Sequence, residues 1–137
     1  MEELILNGKN AFTEWGIKMG DGFLDALGTP APMKDFIENK SRLEHGKRVI
    51  VNNPKLDERD LTLTFTIQGS SKADYQTKKA AFQNELYKGS MTVQVPANSS
   101  EVYRLIYTGK SITYAQSLDR TFGKLSAKFN EPNPTNR

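Results

Sequence analysis

The sequence predicts a mainly β protein with one α-helix, an antiparallel β-sandwich or partly closed barrel flanked by a single helix at about 71–88. Three observations carry this prediction. In Leu61-Thr62-Leu63-Thr64-Phe65-Thr66-Ile67 apolar side chains fall on every odd position and threonines on every even one, the period-two pattern of a half-buried strand. Next, Ser71 and Asp74 have the spacing of a helix cap, and Tyr75, Phe82 and Leu86 share one helical face before Gly89. Around this unit lie short β-rich runs bounded by Gly, Pro and Asn, which bring the count to seven or eight strands.

Taken in order, Leu4-Ile5-Leu6 is a short strand entering Asn7-Gly8, the strongest two-residue signal for a type I′ hairpin. A second strand is expected from Ala11 to Ile17. Phe12 and Trp15 break its alternation, so a bulge or bend is expected near Gly16, with Trp15 as a core anchor. Residues 18–46 form a long irregular segment punctuated by Gly20, Gly22, Gly28, Pro30 and Pro32. The apolar patch Phe23, Leu24 and Leu27 within it has room for one or two helical turns. Such a long loop in a compact domain is usually functional or mobile. Lys34-Asp35-Phe36-Ile37-Glu38-Asn39-Lys40-Ser41-Arg42 sets mixed charge around two large apolar residues. Two readings stand: an arm that packs on a neighbouring subunit through Lys34, Asp35, Phe36, Ile37 and Arg42, or a loop folded over its own core.

Lys47 to Val51 is a further short strand, Asn52-Asn53-Pro54 a turn, and Asp57-Glu58-Arg59-Asp60 a solvated, charged lead-in to the 61–67 strand. After the helix, Met91, Val93 and Val95 alternate with Thr92 and Gln94 until Pro96. Val102 to Tyr107 has large apolar groups on both faces and is expected to be a central strand. Gly109 is expected to turn the chain into Ser111-Ile112-Thr113-Tyr114. The last strand runs from Thr121 to Phe129, with Leu125, Ala127 and Phe129 on one face and Gly123 as a candidate bulge. Residues 130–137 are expected to fray.

At 137 residues the economical reading is one domain, 1–137. The absence of cysteine excludes disulfides, thiolate metal sites and cysteine nucleophiles. An acidic N-terminus with three consecutive apolar residues fits neither a signal peptide nor a membrane span, so synthesis in the cytoplasm is expected. The net charge of +3 is dispersed instead of clustered, and phosphate backbones demand a clustered patch. His45, the single histidine, has no nucleophile motif to serve. Gly20-Asp21-Gly22 lacks the third glycine of a dinucleotide fingerprint, because Asp25 stands there. The acidic run at 57–60 lacks the spacing of a calcium loop. No catalytic residue, cofactor or metal is therefore expected, and the chain is read as a scaffold, not an enzyme. Tyr103 and Tyr107, on one strand face, suit a core strand or a stacking platform for nucleic acid or carbohydrate. The second reading is the alternative to a scaffold.

One resemblance narrows this. The hairpin before Trp15-Gly16, the Gly/Pro-rich loop, Ser41-Arg42-Leu43-Glu44-His45-Gly46-Lys47-Arg48-Val49, and Asp57 to Phe65 leading into a helix together resemble tail components of long-tailed bacteriophages. The nearest likeness is to the N-terminal, ring-forming domain of distal tail proteins, which is similar to tail-tube proteins, and it spans residues 4–129. It implies a tail-tube-like β domain with one flanking helix. It also implies assembly of six copies into a ring at the distal end of the tail tube or in the baseplate of a phage or prophage. Partners would be the chain itself, tail tube, tape measure and baseplate hub, with DNA only as cargo and no membrane, and the location would be the virion tail. Larger distal tail proteins carry a second domain, often carbohydrate-like, after the ring domain. Here the sequence stops at Arg137, which makes a minimal ring or tube component the expectation.

Overall fold

The structure is a computed structural model that describes residues 3–34, 37–39, 48–50 and 55–137. Seven strands form one antiparallel sheet: β1 (Ile5–Leu6), β2 (Lys9–Asn10), β3 (Ile17–Met19), β6 (Arg59–Gln68), β7 (Ser90–Gln94), β8 (Tyr103–Gln116) and β9 (Phe122–Glu131). Their order is β2-β1-β7-β8-β9-β6-β3, and β4 (Ile37–Asn39) and β5 (Arg48–Ile50) form a separate antiparallel pair. Among the described residues there are three helices, α1 (Ala11–Trp15), α2 (Phe23–Gly28) and α3 (Lys72–Leu86).

The edge strands β2 and β3 are neighbours in sequence, with only residues 11–16 between them. Laid flat, the steps between seven strands at about 4.8 Å each would separate the edges by about 29 Å. A five-residue helix with its caps bridges on the order of 10 Å. The sheet must therefore curl, and α1 spans the gap that its open edges leave. This is the mainly β architecture that the sequence predicts as a sandwich or partly closed barrel, with a sheet that does not close on itself.

α1 replaces the strand expected over Ala11 to Ile17. The Asn10 side chain accepts from the Phe12 and Thr13 amides at 3.0 and 3.2 Å, which caps the helix and stops β2. Ala11 and Trp15, four residues apart, face the core together, and this is why Phe12 and Trp15 do not alternate. Gly16 ends the helix with φ 64°, a left-handed conformation, where a Cβ would run into the Gln68 carbonyl. The hairpin before it is as expected: Asn7 and Gly8 have φ 53° and 77°, and Leu6 pairs with Lys9. The 18–46 segment is more regular than its glycines suggest, since it holds the end of β3, all of α2 and β4.

β6 buries Leu61, Leu63, Phe65 and Ile67 as the alternation requires, and pairs with β9 along its whole length. α3 starts at the expected cap, with the Ser71 hydroxyl accepting from the Asp74 amide at 3.1 Å. Its Tyr75, Phe82 and Leu86 are buried, while Gln76, Thr77 and Asn84 are exposed. Phe65 meets Phe82 of α3, Phe23 of α2 and Phe129 of β9 at centroid distances of 5.2, 5.4 and 6.1 Å. Trp15 packs on Phe82 at 6.2 Å, the core role expected of it.

Several further expectations are corrected. Gly109 makes no turn: with Ser111 it adopts positive φ (67° and 51°) and shifts the register of one continuous, bulged strand, β8. Gly123 is no bulge either, because it stays in register opposite Ile67, and a Cβ there would fall on the Tyr75 hydroxyl. β8 is central as expected, yet its outward Ile106 is 42% exposed, since nothing in the described chain covers that face. Finally, Arg59 belongs to β6 and is only 3% exposed, and the 130–137 segment is tied back to it instead of fraying.

Phe82→Ala is expected to destabilise the fold by about 3–5 kcal/mol in chemical denaturation, because it opens a cavity beneath Phe65 and Trp15. Glu85, buried at the end of α3, accepts from the Lys88 ammonium and the Asn7 side-chain amide, both at 2.6 Å. Those bonds, Lys88 first, hold its carboxyl below the ordinary 4.5. A depressed folded-state pKa contributes stability above pH 4.5 that is lost as the pH falls through the lower folded value. Glu85→Gln should accordingly lower Tm at pH 7 and leave a shallower loss of Tm below pH 4.5.

Candidate assembly interface

Between α2 and β6 the chain leaves the barrel as a ribbon. At its root the Asp57 amide donates to the Pro32 carbonyl at 2.8 Å, Met33 bridges Leu56, and the Lys34 amide donates to the Lys55 carbonyl at 2.9 Å. Farther out Ile37, Glu38 and Asn39 pair with Ile50, Val49 and Arg48. The candidate residues at 34–42 thus divide. Lys34 is exposed on the root rung and Ile37 is in the outer ladder, whereas Asp35, Phe36 and Arg42 lie outside the described residues, as does His45. The sequence did not pair this segment with residues 48–50, although Ile37, Val49 and Ile50 are β-branched residues of the kind such a ladder favours. Two exposed apolar residues at the root, Met33 (46%) and Leu56 (41%), also escaped notice.

A second surface lies at the far end of the β8–β9 hairpin. β7 pairs with β8 only over Tyr103 to Ile106, so from Thr108 to Gln116 the β7 side of β8 has no partner strand among the described residues. Ile112, Tyr114 and Phe122 on this half are 48%, 40% and 38% exposed, and Leu118 at the tip is 98% exposed. The tip itself is well defined. The Asp119 carboxylate accepts from the Ser117 hydroxyl and the Thr121 amide, and Arg120 has φ 62°. Those bonds, the Ser117 one first, hold the Asp119 carboxyl below the usual carboxylate range. Tyr114 is anchored by its hydroxyl, 2.6 Å from that of Tyr75 and donating to Gln116 at 2.8 Å. Burial and that neighbour push the Tyr75 hydroxyl well above the tyrosine range.

The outward face of the sheet is polar. Thr64 and Ser126 hydroxyls meet at 3.1 Å across β6 and β9, and the nearby lysines have carboxylates in reach, Lys128 to Asp60 at 3.6 Å and Lys124 to Asp21 at 3.8 Å. These are surface pairs, each of little energetic weight.

Tyr103 and Tyr107 offer no free stacking platform. Tyr103 is 6% exposed beneath two guanidiniums, Arg137 at 4.7 Å and Arg59 at 5.7 Å from its ring centre. Tyr107 packs on Phe129 at 5.5 Å and Tyr87 at 6.4 Å. The concavities are shallow; one of about 250 Å³ is lined by Glu3, Leu4, Asn10, Phe12, Ile17 and Lys18, without convergent acid, base and nucleophile. Among the described residues, no group of three or more His, Asp or Glu could hold a metal, and no helix is long and apolar enough to cross a membrane.

With this geometry in view, comparison with known proteins gives a structural likeness. No family model and no curated protein matches the chain. Among solved structures, it is similar to the crystal structure of the SPP1 Dit (gp 19.1) protein, described as a paradigm of hub adsorption apparatus in phages infecting Gram-positive hosts. The TM-score is 0.62 at 12% sequence identity, and the match covers 96% of this chain and 50% of that one. The likeness establishes the fold. This chain spans about half the length of the phage protein.

Because Leu118 contacts nothing that holds the hairpin, Leu118→Ser should change stability by no more than about 0.5 kcal/mol in denaturant titration.

Proposed function

We propose that this chain is a non-enzymatic structural component of a phage or prophage tail that assembles as a ring at the distal end of the tail tube or in the baseplate. The observation that carries the reading is the pair of β4 and β5, a two-stranded sheet separate from the main sheet, on a fold similar to a phage hub protein along 96% of the chain. A cyclic ring requires two different surfaces on each subunit, one to offer and one to receive. The ribbon is the offered surface, and the interface candidates read from the sequence, Lys34, Asp35, Phe36, Ile37 and Arg42, belong to this stretch of the chain. The unpartnered side of β8 from Thr108 to Gln116, beside Ile112 and Tyr114, is suited to receive, since an open strand edge accepts a neighbour's backbone. Six copies would make the ring, with tail tube, tape measure and baseplate hub as neighbours and DNA passing through as cargo.

Light scattering and negative-stain microscopy test this reading. The full chain should form rings of about six subunits, alone or on addition of purified tails. Replacing residues 35–54 with a short Gly/Ser linker should leave the circular dichroism spectrum of the barrel and abolish the rings. A chain that stays monomeric with and without tails, or a ribbon deletion that assembles like the parent, would refute it.

A further inference from the structure

The ribbon leaves the barrel after α2 and returns at Arg59, and that one side chain holds both sides of its root. From the first residue of β6, Arg59 donates through Nη1 to the Leu27 carbonyl at 2.8 Å and to the Thr29 carbonyl, at the end of α2 and its C-cap, a few residues before the root rung. Its Nε lies 2.9 Å from Glu131 Oε1 without lining up as a hydrogen bond, and its Nη2 has no partner among the described residues. Arg59 therefore depends on Glu131, itself 0% exposed, for its counter-charge.

Glu131 is held from the other side by Arg137. The guanidinium makes a two-bond fork, Nε to Oε2 at 3.0 Å and Nη2 to Oε1 at 2.9 Å. It also lies over Tyr103 and reaches Glu101 at 3.2 Å. Unlike its two buried partners, the Arg137 side chain is 24% exposed, so it is the member that solvent or another protein can reach.

We propose that Arg59, Glu131 and Arg137 form a latch that couples the seating of residues 131–137 to the rigidity of the ribbon root. With Arg137 in place, Glu131 is fixed and Arg59 grips the carbonyls of Leu27 and Thr29. Lifting Arg137 removes both fork bonds, uncovers Tyr103 and admits water to Glu131, so its hold on Arg59 is screened and the root loosens. A buried ion pair contributes little net stability against an apolar replacement but costs much when one partner is lost, which suits a device that selects one geometry. The consequence for assembly rests on the ring reading above; the coupling itself does not.

Amide hydrogen exchange on the full chain tests the coupling, at a concentration where parent and variants have the same size by light scattering. Arg137→Ala should speed exchange of the two root amides, Lys34 and Asp57, by about five- to tenfold while Leu63 and Ala127 in the central strands keep their protection. Arg137→Lys, which keeps the charge but loses the fork, should fall between. Phe82→Ala serves as the control for a uniform loss of stability. If Arg137→Ala changes only residues 101–104 and 131–137, or accelerates all amides in the Phe82→Ala pattern, the latch is refuted. Failure of the ring reading would show in particle size and leave this result untouched.

Discussion

The structure depends on the packing around Phe65. Its ring sits in the middle of β6, fully buried, and takes edge-on contacts from Phe23, Phe82 and Phe129. Each neighbour comes from a different element, so one side chain positions α2, α3 and β9 together. Aromatic pairs in this geometry add about 0.5–1.5 kcal/mol each beyond their area burial. The larger effect is geometric. α2 cannot shift without disturbing the ring that also seats α3, and α2 is the last element before the ribbon.

Around this apolar centre the polar groups in the interior are few and paired. Glu85 sits between Lys88 and Asn7, whose side-chain oxygen also accepts from the Thr92 amide at 2.9 Å. The N-terminal hairpin is thereby tied to the end of α3 and the start of β7. Arg59 and Glu131 do the same for α2, β6 and β9. Buried charge of this kind is expensive to desolvate. Its return is position: each cluster joins three segments that the hydrophobic core alone would leave free to slide.

Legibility in the sequence followed the range of the interaction. The alternation of Leu61 to Ile67, the Ser71 cap, the Tyr75, Phe82 and Leu86 face and the Asn7-Gly8 turn are local patterns, and each is found where it was expected. α1 was hidden because a five-residue helix is too short for periodicity to stand out, though Asn10 before Ala11 and Trp15 was a readable cap and face. Gly109 and Gly123 were misread because a glycine marks freedom or close approach without saying which; the answer lay in Ser111 beside one and Tyr75 above the other. Arg59 looked solvated amid Asp57, Glu58 and Asp60 because its counter-ion, Glu131, is at the opposite end of the chain. In the candidate interface, the composition around Lys34 and Ile37 left two readings open, an arm onto a neighbour or a loop over its own core. That these two residues form a ladder depends on residues 48–56, a pairing that mixed charge around apolar residues does not encode.

The position of the ribbon in the chain follows from the same physics. An isolated two-stranded hairpin is marginal in water, because it orders many residues and buries little. Its root needs a fixed support, and the fold supplies one where α2 is pinned by Phe23 against Phe65 and β6 begins under Arg59. Closing a loop of this length costs only slightly more than closing a shorter one, since the entropy grows with the logarithm of length. The outer ribbon can therefore be long at little cost to the barrel, provided that the two ends meet rigidly. At the root, Thr29 and Arg59 are held together by the Arg59 guanidinium, which donates to the Thr29 carbonyl. The carbonyls of Leu27 and Thr29 are held there by a buried guanidinium.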